Sequence, residues 1–91
     1  MTVTRTTTDH SEIRRWVEAR GGRPGHVADR ADGDLPGPLR ISFAPHNGVE
    51  ELPWDAWFEA FDISHLAFVY EDESDSRFNK LVDRVSANGS G

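Results

Sequence analysis

Apolar residues fall into two helical stripes and two strand-like runs, separated by clusters of glycine, proline, asparagine and aspartate. Ile13, Trp16 and Val17 stand at i, i+3 and i+4, with Glu12, Arg14, Arg15 and Glu18 facing away, which is one apolar face of a helix. Asp9 precedes Glu12 by three residues, so the spacing predicts a helix that begins here in a capping box with an aspartate cap. Gly21 and Gly22 predict its end, since glycine readily takes the left-handed conformation at a helix terminus. The second stripe is Trp54, Trp57, Phe58 and Phe61 at i, i+3, i+4 and i+7. Pro53 suits its start, and Asp55 in the first turn complements the positive end of the helix dipole.

Period-two patterning marks the strands. Leu39, Ile41 and Phe43 alternate with Arg40 and Ser42, as in a half-buried strand. Residues 66–70, Leu-Ala-Phe-Val-Tyr, are apolar on both faces and predict a central strand covered by helices on at least one side. Residues 24–29 read as an extended segment or edge strand. Phe78, Leu81, Val82 and Val85 have helical spacing, yet residues 78–82 also suit a strand returning from Tyr70; the hairpin is the preferred reading, with the acidic residues 71–76 as its turn. Asp32, Gly33, Asp34, Pro36, Gly37 and Pro38 mark one loop, and residues 45–52, with Asn47-Gly48 as turn signal, a second.

These elements predict an α+β fold: two amphipathic helices packed on a mainly antiparallel sheet of three to four strands that contains residues 39–43 and 66–70. Residues 9–85 form the expected single domain, between flexible tails at 1–8 and 86–91. With 91 residues the chain builds one core, burying about two-thirds of the surface its unfolded form exposes. Three tryptophans and five phenylalanines suffice to fill it.

Composition narrows the chemistry. The absence of cysteine excludes disulfides, thiolate metal sites and cysteine nucleophiles. No apolar targeting segment and no stretch of roughly 18 apolar residues is visible, so a soluble, cytoplasmic protein with no membrane association is expected. Sixteen acidic against ten basic side chains give a net charge of −6, which opposes non-specific attraction to nucleic acid. The charge is uneven: Arg5, Arg14, Arg15, Arg20, Arg23 and Arg30 lie in the first third, and most carboxylates follow from Glu50 onward.

The segments Thr7-Thr8-Asp9-His10, Ile13-Arg14-Arg15-Trp16, Arg20-Gly21-Gly22-Arg23-Pro24, Leu39-Arg40-Ile41, Trp54-Asp55 with Phe58, Leu66-Ala67-Phe68 and Ser76-Arg77-Phe78-Asn79-Lys80-Leu81-Val82 cover nearly the whole chain. Together they resemble a family of short bacterial proteins without an assigned activity, and the resemblance implies no catalytic or binding residues. Some of its members bear a glucan branching enzyme label; such enzymes need a catalytic barrel of roughly 250 residues, which a chain this short does not contain.

Candidate sites have plain structural readings beside them. His10, His26, His46 and His65 form no metal-ligand spacing, and surface or cap roles account for them, with His10 placed to fold back on the core. Arg20-Gly21-Gly22-Arg23-Pro24 approximates the minor-groove Arg-Gly-Arg-Pro hook but for an extra glycine; a helix end with a turn is the preferred reading, since the net negative charge counts against a free hook. Glu71-Asp72-Glu73-Ser74-Asp75 lacks the EF-hand pattern and reads as a solvated acidic turn rather than a calcium loop. Ser64-His65 is no triad by adjacency alone. No phosphate-cradling glycine loop occurs. Trp54 and Trp57 are read as core, since exposing both would forfeit several kcal/mol against a net stability of roughly 5–15 kcal/mol.

The expected function is therefore that of a non-enzymatic protein-interaction or regulatory module with an unidentified protein partner, no catalytic residue, no cofactor and no bound metal. The alternative is nucleic-acid binding through a basic surface made by Arg14, Arg15, Arg20 and Arg23. An enzymatic reading through a carboxylate and a histidine, such as Asp62 and His65, lacks any partner or oxyanion donor legible from spacing.

Overall fold

Local signals place the first helix. In the computed structural model, which describes residues 3–30, 37–44 and 48–85, α1 runs over His10–Ala19. The Asp9 side chain accepts from the Glu12 N–H at 3.1 Å, and Asp9 N–H is taken by Thr7 Oγ1 at 3.0 Å. Only half of the capping box forms, because Glu12 turns instead to the hydroxyls of Thr7 and Tyr70. At the other end Gly21 has φ +72, Gly21 N–H bonds Glu18 O and Gly22 N–H bonds Val17 O, which is a Schellman closure. A Cβ at Gly22 would meet the Phe43 ring at 2.8 Å and Val17 Cγ1 at 2.9 Å, so this second glycine is required by packing.

The described strands form two three-stranded antiparallel sheets rather than the one sheet of three to four strands expected. The first has β5 (Leu66–Glu71) between β1 (Thr4–Thr7) and β6 (Asn79–Asp83); the second has β2 (Arg23–Val27) between β3 (Leu39–Ser42) and β4 (Val49–Glu51). The expected strands around Ile41 and Phe68 thus lie in different sheets. Alternation tells which face of a strand is buried but not which strand it pairs with.

Three placements correct the sequence reading. Thr4–Thr7 is an edge strand and not part of a tail, since these residues pair in register with Phe68 to Glu71. Its mostly exposed, threonine-rich Thr-Arg-Thr-Thr run suits a strand but has no apolar alternation to reveal it. β2 is central rather than an edge; Leu52 N–H donates to Pro24 O just beyond the last β2–β4 pair, so proline removes only the return bond at the end of that ladder. β4 lies inside the segment read as a loop, where Val49 was its only apolar residue. The hairpin reading of the C-terminal element holds, with Leu66 opposite Asp83 and Tyr70 opposite Asn79. The expected turn at Asn47, most of the loop from Asp32, and the tail 86–91 lie outside the described residues.

Helix α2, Trp54–Ile63, joins the two sheets, touching β2 and β3 on one side and β5 on the other. Trp57 is fully buried and donates its indole N–H to Arg40 O at 3.2 Å. Ile13, Val17, Phe61 and Phe68 are likewise closed off from solvent. Trp16 meets Phe68 edge-on at 5.6 Å and Tyr70 at 5.4 Å, which seats α1 on the first sheet. No described helix is long and apolar enough to cross a membrane.

Candidate functional site

Where α1 begins beside α2, the helices leave an open groove of about 600 Å³, lined by His10, Arg14, Trp54, Asp55, Phe58 and Glu59 among others. Helical spacing builds it: Trp54 and Phe58 are one turn apart on α2, and His10 and Arg14 are one turn apart on α1. The His10 ring stacks on Phe58 at 4.1 Å and 6°, and Trp54 stacks on Phe58 at 5.0 Å and 19°. Trp57 belongs to the core as expected, but Trp54 is only half-buried and stands at the groove, so the core reading holds for one tryptophan in full and for the other in part.

Polar contacts fix the two ends of the groove. Glu18 Oε2 accepts from the Trp54 indole N–H at 3.2 Å and from Arg14 Nε at 3.1 Å. His10 Nε2 lies 3.0 Å from Asp62 Oδ2, and Arg84 Nη2 reaches Asp62 Oδ1 at 3.3 Å. Partial burial by itself would raise the Asp62 carboxyl, but the hydrogen bonds and charges of His10 and Arg84 outweigh it and hold this group below the usual carboxylate range. Asp55 and Glu59 are exposed, and neither makes an ion pair among the described residues.

A smaller cleft of about 380 Å³ lies against the second sheet, with Arg23, Gly25, Ser42, Phe43, Val49 and Glu51 in its lining. Its charged groups pair with each other, Arg23 Nη1 with Glu51 Oε2 at 3.4 Å, and Ser42 is occupied by the Ala44 carbonyl at 2.5 Å.

The four arginines of the expected basic surface have separate roles. Arg14 is paired with Glu18 and Arg23 with Glu51. Arg20 lies 4.2 Å over the Trp16 ring and donates to the carbonyls of Trp16, Glu73 and Ser76, which ties the β5–β6 turn to α1. Arg15 is exposed without an ion pair among the described residues.

The histidines are dispersed. His26 is buried and its Nδ1 accepts the Gly37 N–H at 2.9 Å, which leaves Nε2 facing Glu50 at 3.7 Å. His65 closes the end of α2 at φ +54, where its N–H bonds Asp62 O. His46 lies outside the described residues. Among the described residues no three His, Asp or Glu side chains group as a metal site. In the acidic turn, Asp72 pairs with Arg5 at 2.7 Å and Glu71 accepts from Ser76 at 2.5 Å. Asp62 is engaged by His10 and Arg84 rather than by His65, a combination that sequence spacing missed because the partners are 52 and 22 residues away. The only legible sign of it was the position of His10 in the first turn of α1, from where it folds back on the core. No protein-family model, curated protein or solved structure matches the chain.

Proposed function

We propose that the protein is a small non-enzymatic protein-interaction module whose recognition surface is the groove between α1 and α2. The observation that carries this reading is Trp54, a large aromatic only partly buried at the groove in a chain whose other two tryptophans are buried. Tryptophan supplies much binding energy when a partner covers it, and a surface aromatic groove rimmed by polar groups is the usual form of an interaction site. In this reading the groove's histidine–carboxylate pair is a structural tie, with Arg84 sharing the carboxylate and both His10 and Asp62 drawn into contacts between elements.

Nucleic-acid binding is the weaker reading. Phosphate contacts need free cations, and of Arg14, Arg15, Arg20 and Arg23 only Arg15 is not engaged in the contacts described above.

A photo-crosslinking residue placed at Ser11, in the groove, tests the module reading against one placed at Lys80 on β6. In the native cell the groove position is expected to yield discrete protein adducts that the Lys80 position does not. A groove position that gives nothing above background would overturn it.

A further inference from the structure

We propose that the groove between α1 and α2 receives a basic segment of its partner, with an arginine or lysine stem against Trp54 and the cationic head at Asp55 and Glu59. The inference rests on the interaction-module reading and names the chemistry of the groove's occupant.

Most of the charges around the aromatic floor are paired. Arg14 is matched by Glu18, and Asp62 by His10 and Arg84. What remains unmatched among the described residues is the pair Asp55 and Glu59 on the α2 wall. These stand at i and i+4, a spacing at which like charges repel across one turn of a helix. Repulsion beside an aromatic surface is relieved by a ligand that brings positive charge. Arginine and lysine meet both requirements, because their stems cover apolar surface while the head stays at the polar rim, and a cation near an indole ring gains from the ring quadrupole.

The same walls disfavour other occupants. Three carboxylates, Asp55, Glu59 and Asp62, line the groove, so a phosphate-bearing or acidic ligand meets repulsion along α2. An uncharged apolar segment would cover the tryptophan but leave the carboxylate pair uncompensated.

The test is a nuclear magnetic resonance titration of the ¹⁵N-labelled full chain with a blocked arginine–glycine repeat peptide, and with the same peptide carrying glutamate for arginine. Three indole N–H signals are expected, and Trp54→Phe assigns the one at the groove. The arginine peptide should shift that signal and the amides of Asp55 and Glu59, while the glutamate peptide should not. The double variant Asp55→Asn, Glu59→Gln, altered only at exposed positions, should bind the arginine peptide about fivefold more weakly, as expected for losing exposed charge pairs, and rising salt should weaken the wild type in parallel. Absence of shifts at the groove, equal response to both peptides, or unchanged affinity in the double variant would overturn the proposal. If these fail while crosslinks still concentrate at Ser11, the module reading stands and the cationic occupant falls.

Discussion

Tyr70 shows how one side chain joins three elements. It is 4% exposed on β5, packs against Trp16 of α1, and gives its hydroxyl to Glu12, which also holds Thr7 at the end of β1. Burial, and then the neighbouring Glu12 carboxylate, push the phenol up to about 12 from an ordinary value of 10.0. The neutral phenol is therefore the form that the fold favours. Its contribution is complete below the unfolded value and is lost as pH climbs from there through the folded value, about 2–3 kcal/mol in all. Because the chain has a single tyrosine, the near-ultraviolet phenolate absorbance should report this group alone. The expected result is no phenolate signal near pH 10 in the folded protein, followed by its onset together with unfolding. Arg20 works at the same scale, since a guanidinium fork serves three carbonyls and a ring while an ammonium cannot span them. Arg20→Ala should cost about 2–4 kcal/mol in urea unfolding, and Arg20→Lys should recover less than half of it.

Among the elements, β1 is the one whose role is largest relative to its visibility in the sequence. It covers one edge of β5, and Asp72 N–H bonds Val3 O while Arg5 pairs with Asp72, so the strand holds both the sheet and the start of the acidic turn. Removing residues 1–8 should lower stability by about 2 kcal/mol or more, from several backbone hydrogen bonds at about 0.5–1.5 kcal/mol each. It should also produce concentration-dependent association in size-exclusion chromatography, because β5 would present an unprotected edge. Full stability and a monomeric profile after the truncation would show that β1 is dispensable. Helices α1 and α2 were legible because their stripes, and the Asp9 cap of α1, act within four residues. β4 was not, because three residues with one apolar side chain carry no period; its place comes from pairing with β2.

Across the molecule, α2 is the joint between two sheets that share no strand. Trp57 fills that joint, fully buried, stacked on Phe61 at 5.4 Å and bonded to β3 through Arg40 O. Trp57→Ala should cost about 3–5 kcal/mol, a large part of the roughly 5–15 kcal/mol that holds a domain. Both sheets should be lost in one transition, read as coincident far- and near-ultraviolet circular dichroism curves; two separated transitions would mean that the sheets fold independently. The sequence alone determined the α+β class, both ends of α1, the start of α2, and the hydrophobic faces, since periodicity, caps and glycine conformations are short-range physics. Only the tertiary structure decided that the strands divide into two sheets, that Arg20 is bound to backbone carbonyls, and that Trp54 opens onto a groove whose far end is His10 with Asp62 and Arg84. Those outcomes depend on contacts between residues far apart in the chain, and such contacts are selected by the packing of whole elements, which no local pattern encodes.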